Sequence, residues 1–262
     1  MNSISFYKER INSAKNLDFG TMFNLIIELY KKVWVQGLLL FIFNVIIMLP
    51  IIILVYVPLI VASFARAESG DYSSDFMTDF FTGFSFVYIV GILFLFIVLI
   101  ALSAALIAGF YRIVNRLDFN HLVNTSDFFY FIKKKYILKL LVLMVVSMII
   151  VALSALLCYV PLIYTMVPVS FFIVFFTFNP ELSVGAIFEL SFKLGTKKWL
   201  ITFGLLLVIG IIVTIIGTIT CGLGYFFLIP FSYLPIYIIY KEVIGFEETN
   251  EINEIGNPML NE

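Results

Sequence analysis

Charge is what this chain has least of. Only 13% of its 262 residues are Asp, Glu, Lys or Arg, and 62% are hydrophobic. A soluble domain carries about 25% charged and about 45–50% apolar residues. The polar surface needed to cover a water-exposed domain is missing, so the composition specifies a membrane protein. The formal net charge of -1 leaves no basic surplus for neutralising phosphates and excludes a nucleic-acid-binding protein. Histidine occurs once, as His121, and cysteine twice, as Cys158 and Cys221. Metal-dependent membrane enzymes need clustered His, Cys or carboxylates. A Gly-x-Ser-x-Gly nucleophile elbow is also absent. No catalytic residue, metal ligand or cofactor is therefore expected.

Charge-free stretches are what the chain has instead. Val33–Ala65 holds 33 residues, Phe80–Tyr111 holds 32, Leu140–Pro180 holds 41 and Trp199–Tyr240 holds 42. A helix needs about 20 residues to cross a hydrocarbon core of about 30 Å. The first two stretches each hold one span, and the last two must fold back as hairpins. Their turns are marked by Cys158-Tyr159-Val160-Pro161 and by Thr220-Cys221-Gly222-Leu223-Gly224. The expected fold is an all-α integral membrane protein with six transmembrane helices, at about 33–62, 86–108, 136–160, 162–178, 199–219 and 225–240. Residues 1–245 form this single membrane domain, and 246–262 an acidic flexible tail. The alternative count makes one Pro-broken segment, Leu162–Phe178 or Tyr225–Tyr240, re-entrant.

Six spans place every lysine and arginine except Arg66 on one side, which by the positive-inside rule is the cytoplasm, with both termini there. The first 30 residues have no long apolar core, so the first helix is expected to serve as its own insertion signal.

Cytoplasmic interfacial amphipathic helices are expected before spans 1, 3 and 5. The first sets Phe19, Phe23, Ile26 and Tyr30 on one face and ends in Lys31, Lys32, Val33 and Trp34. The second runs from Asn120 through Leu122, Phe128, Phe129 and Ile132 to Lys133, Lys134, Lys135 and Tyr136. The third opens with Asn179-Pro180-Glu181 as a cap, faces Leu182, Ala186, Leu190 and Leu194 one way, and ends in Lys197, Lys198 and Trp199. These lysines and aromatics are the candidate lipid-interface residues, charge among the headgroups and rings in the aromatic belt. The three segments read either as a threefold repeat or as ordinary juxtamembrane segments.

Within the spans the polar or helix-breaking residues are few. Asn44 near mid-span wants a partner on another helix, as packing glue or as part of a polar path. Ala101, Ala105 and Gly109 form a small-residue face that admits another helix closely. Pro168, Pro230 and Pro235 are either kinks or pointers to a transporter substrate site. Glu68, Asp71, Asp75 and Asp79 form an acidic outer loop, and Cys158 and Cys221 are either inert or paired.

The run Asn179-Pro180-Glu181-Leu182-Ser183, the Lys197-Lys198-Trp199 cluster, Cys221-Gly222-Leu223-Gly224, Pro230 and the closing Tyr237-Ile238-Ile239-Tyr240-Lys241-Glu242-Val243-Ile244-Gly245 carry a resemblance. So do Leu17-Asp18-Phe19-Gly20 and Lys31-Lys32-Val33-Trp34 near the start. The chain resembles uncharacterised six-helix Bacteroidetes-like inner-membrane proteins related to the membrane domain fused to some glycerophosphodiester phosphodiesterases. The phosphodiesterase domain itself is absent from the sequence. The resemblance implies a non-enzymatic multi-pass protein whose partners are membrane lipids or other membrane proteins. The competing expectation is a permease for an uncharged or lipid-like solute, routed between the fourth, sixth and first spans.

Overall fold

The computed structural model describes residues 3–69, 86–157 and 160–246, and every regular element among them is helical. In chain order these are α1 (Ser3–Ser13), α2 (Phe19–Ser69), α3 (Phe86–Asp118), α4 (Lys134–Leu156), α5 (Val160–Phe178), α6 (Val184–Lys197), α7 (Trp199–Ile219), α8 (Leu223–Leu228) and α9 (Leu234–Val243). Short 3-10 turns fill Thr125–Phe129 and Ile229–Ser232. Six segments are long and apolar enough to cross a bilayer, which marks a multi-pass membrane protein. The acidic outer loop at Asp71, Asp75 and Asp79, the Cys158-Tyr159 turn and the tail from 247 lie outside the described residues.

The segment expected as a separate interfacial helix before the first span is instead the opening turns of α2. Its 51 residues make one helix of roughly 75 Å. The buried stripe runs Met22, Ile26, Leu29, Val33 and Leu40, so Ile26 was placed on the correct face while Phe19 is exposed. Beyond Asn44 the apolar side chains turn outward, Ile53 55% and Phe64 69% exposed, and the paired start of α3 does the same, with Phe94 at 69%. That surface suits hydrocarbon and not water.

The second expected interfacial helix is not a helix of that kind. Thr125–Phe129 is a single 3-10 turn, and Phe128 and Phe131 are buried in the core. Phe43 of α2 packs on Phe128 and Phe129 at ring distances of 5.4 and 5.1 Å. A Cβ on Gly109 would meet the Phe128 backbone, with its Cα and carbonyl carbon both at 2.8 Å. The small-residue face of α3 therefore does two jobs. Ala101 and Ala105 are fully buried, and Gly109 receives the backbone of a turn where a helix was expected.

The third expected helix exists as α6, but its apolar face is covered by protein. Ala186, Ile187, Leu190 and Leu194 are buried, and Phe188 and Phe192 pack on Phe172 of α5. Its N-cap is Ser183, whose Oγ accepts from the Ala186 amide at 3.2 Å, and not the Asn179-Pro180 pair. Antiparallel to α5, α6 brings Gly195 against Pro168 and Trp199 against Tyr164. The Lys197-Lys198-Trp199 cluster thus sits by the first turns of α5, while Lys135 pairs with Glu181 at 3.2 Å beyond its last turn. The fourteen residues of α6 separate the two clusters by about 20 Å. They are not equivalent collars.

Unforeseen in the sequence, α1 lies beside α6. Tyr7 and Ile11 are buried, Lys8 pairs with Glu189, and the Arg10 guanidinium donates to the Ile244 carbonyl. The last contact joins the beginning and end of the described chain on one side of the bundle.

The α7–α8 turn reverses as expected, through left-handed Cys221 (φ 51°) and Gly222 (φ 95°). Gly222 N–H donates to the Gly217 carbonyl at 2.8 Å, which satisfies a helix end. The sixth span is not one helix, because Pro230 and Pro235 start new turns and divide it into α8, the Ile229–Ser232 turn and α9.

Candidate functional site: a cationic cavity beside the Thr125–Phe129 turn

The last turns of α3 carry Arg112, Asn115 and Arg116, at i, i+3 and i+4, on one face. Opposite stand His121 and Tyr130 from the α3–α4 connection and Thr177 from the end of α5. Together with Phe131, Phe178 and Pro180 they line a half-open cavity of about 340 Å³. Left-handed Asn120 (φ 59°) reverses the chain after α3 so that the connection folds back along the helix. Phe128 and Phe131 anchor that return in the core.

The charges in this wall are held firmly. Arg116 bonds Asp127 at 2.9 Å, and Asp127 also accepts from the Asn124 amide at 3.0 Å. Arg112 lies 3.7 Å from the Tyr130 ring centroid, a cation–π contact. Hydrogen bonding from Arg112 is the largest influence on the Tyr130 phenol and holds its pKa below the usual value of 10.0. Two guanidinium groups and an imidazole line the cavity, and no carboxylate does. Among the described residues no carboxylate pairs with Arg112.

Around it the polar groups are saturated by one another. Asp118 accepts from Tyr237 Oη at 2.9 Å and from Lys241 Nζ at 2.6 Å. The Asn179 amide donates to Tyr240 Oη at 2.6 Å and its oxygen accepts from Tyr7 Oη. These links tie α1, α3, the end of α5 and α9 together and fix the cavity walls. No family model, curated protein or solved structure matches this chain.

The candidate lipid-interface residues separate into two groups. Lys31, Lys32, Trp34, Lys133, Lys134 and Lys135 are exposed, with Lys133 5.0 Å from the Tyr130 ring and Tyr136 partly covered. Lys32 also reaches Asn120 Oδ1 at 3.1 Å. The third cluster is tied to the end of α1, with Lys197 exposed and Lys198 buried. Lys197 donates to the Asn12 carbonyl and Lys198 to that of Lys15, where α1 has just ended and its last carbonyls face out. Lys198 is only 6% exposed, and burial pushes its ammonium pKa down. Trp199 stacks on Phe203 and donates to the Tyr164 carbonyl at 3.2 Å.

The intramembrane candidates are all engaged in packing. Asn44 donates to the Leu40 carbonyl at 2.8 Å and accepts from Ser103, so it joins α2 to α3. Pro168 fits over Gly195 and Pro230 over Gly37, while Pro235 starts α9. Cys221 is exposed, and Cys158, the other cysteine expected to be either inert or paired with it, lies outside the described residues. The cavity residues escaped the sequence reading because Arg112 and Arg116 counted there only as topology charges. Their i, i+4 spacing with Asn115 between was the one available signal, and the return of His121 and Tyr130 onto that face is tertiary.

Proposed function

We propose that this chain is a non-catalytic multi-pass protein of the bacterial cytoplasmic membrane that engages anionic lipid headgroups, with both termini in the cytoplasm. The observation that carries the reading is the exposed row Lys133, Lys134 and Lys135 at the start of α4, beside the cationic cavity and flanked by Tyr130 and Tyr136. Exposed ammonium groups favour an anionic surface by about 1 kcal/mol each, undivided at Lys133 and Lys134 and shared with Glu181 at Lys135. The Arg10–Ile244 contact supports the placement of both termini together. Partner membrane proteins with acidic faces belong to the same proposal as alternative occupants of that row.

The competing permease reading routes a solute past Asn44, Pro168 and Pro230. Those side chains are occupied with Ser103, Gly195 and Gly37, which favours packing roles for them.

Native mass spectrometry of the purified protein, with phosphatidylglycerol and phosphatidylcholine added in competition, tests the proposal. Wild type retains phosphatidylglycerol preferentially, and the Lys133→Gln/Lys134→Gln/Lys135→Gln variant loses most of that preference. An unchanged preference in the variant overturns the reading.

A further inference from the structure

The cavity at the end of α3 has the chemistry of a specific site and not only of a charged rim. Its polar wall offers the Arg112 and Arg116 guanidinium groups and the His121 ring, with Tyr130 holding Arg112 in place, while the Asn115 amide donates to Tyr237 Oη at 3.3 Å and the Thr177 hydroxyl to the Ile173 carbonyl at 2.7 Å. Guanidinium groups are matched in shape to the oxygens of a phosphoryl group, which they grip through paired donors. Among the described residues Arg116 pairs with Asp127, which lies outside the cavity lining, and Arg112 pairs with no carboxylate. A lining with two guanidinium groups and no carboxylate is complementary to an anion.

Size and surroundings narrow the ligand. At about 340 Å³ the cavity stands at the small end of ligand sites, the range of a headgroup and not of an acyl chain. Next to His121 in the chain, Leu122 is 95% exposed, an apolar side chain that suits the hydrocarbon part of a molecule whose phosphoryl head enters the cavity. The larger open groove of about 550 Å³ between the α1–α2 connection and α9 offers no such selection, because Arg10 and Lys15 there face Asp18 and Glu242.

We propose that the Arg112–Arg116–His121 cavity binds a terminal phosphoryl group, presented as the monoester of a lipid headgroup or as free phosphate. The inference deepens the headgroup reading above and rests on it for the lipid source alone. Bound there, the phosphoryl oxygens accept from Arg112 and Arg116, and His121 closes the mouth from its exposed loop.

The test uses the full chain in detergent, titrated calorimetrically with inorganic phosphate, with a short-chain phosphatidic acid and with the matching phosphatidylcholine. Wild type binds phosphatidic acid, and phosphatidylcholine at least tenfold more weakly. Phosphatidic acid binding without phosphate binding assigns the lipid source, and equal binding of the two assigns a soluble anion. Arg112→Gln weakens the bound species about tenfold, as expected for loss of a charge-assisted pair of hydrogen bonds. His121→Ala, at an exposed position, weakens it about threefold and keeps the test decisive where Arg112→Gln does not fold. Affinities within twofold of wild type in both variants, or no binding of either phosphate compound, overturn the proposal. If the triple lysine variant loses its phosphatidylglycerol preference while Arg112→Gln and His121→Ala bind as wild type, the cavity site falls and the headgroup reading survives. If none of these variants differs from wild type, both fall.

Discussion

Replacing Gly109 by Ala tests the most unexpected packing in the fold, the seating of the Thr125–Phe129 turn on α3. The new methyl carbon would lie 2.8 Å from both the Cα and the carbonyl carbon of Phe128, where ordinary contact begins at 3.4 Å. Backbone cannot rotate away as a side chain tip does, so the turn must retreat by more than half an ångström. Overpacking of this kind costs about 1–3 kcal/mol. Against it stands the helix gain from replacing Gly by Ala, about 0.5–1 kcal/mol. A net loss of about 1–2 kcal/mol is expected in consequence. Gly91→Ala and Gly210→Ala are the controls, since a Cβ at either position meets nothing within 4 Å. They keep the helix gain without the clash. Thermal unfolding followed by circular dichroism in one detergent should rank both controls above wild type and Gly109→Ala below it. A Gly109→Ala midpoint at or above that of Gly91→Ala would refute the buried-turn packing. The displaced turn also carries Tyr130 away from Arg112, so a second readout is the Tyr130 ionisation, which should rise toward its ordinary value.

Further outcomes follow from the same contacts. Ala105→Leu, at a fully buried position on α3, should lower stability by about 1–3 kcal/mol in the same assay. Gly37→Ala should clash with the Pro230 ring, and adding Pro230→Gly, which removes both ring carbons the new methyl meets most closely, should recover part of the loss, a coupling visible in a double-mutant cycle. Ser103→Ala should remove the α2–α3 link to Asn44 at a loss of about 0.6–1.7 kcal/mol, measured by unfolding in mixed micelles. Because Arg112 depresses the Tyr130 pKa, the phenolate forms below pH 10 in the folded chain. A depressed acid stabilises above its unfolded pKa, and that contribution is lost as pH falls through the folded value. Carbon-13 tyrosine resonances should show Tyr130 titrating below the usual value of 10.0, and Arg112→Gln should move it up.

Hydrophobic arithmetic made much of the architecture legible in advance. Charge-free runs too long for one crossing required hairpins, and the Trp199–Ile219 helix falls at the expected residues because Lys198 before it and the Cys221-Gly222 reversal after it are local signals. The same reasoning misassigned the segments between spans. Amphipathic spacing reports that one face of a helix wants cover, and not whether lipid or protein supplies it. Leu190 and Leu194 are as consistent with a bilayer surface as with α5 until the fold places α5 there. In the Asn120–Tyr136 segment, Phe128 and Phe129 register as membrane-seeking rings, yet Gly109 leaves a gap in α3 that the Phe128 backbone fills, and the Phe128 side chain is buried.

The sequence by itself determined that this protein lives in a membrane, how many segments can cross it, and that ionisable groups gather at span ends. Each follows from solvation free energy summed along a chain, which needs no knowledge of neighbours. Tertiary structure alone decided what those end groups do. Lys198 and Lys133 read identically in sequence. One is pinned under the carbonyls that end α1 and the other faces out beside Tyr130, because burial and pairing depend on which distant segment arrives, here Lys15 for the first and none for the second. The cavity of Arg112, Arg116 and His121 is of the same kind: its residues are separated by a chain reversal at Asn120 and meet only when the return packs against Gly109.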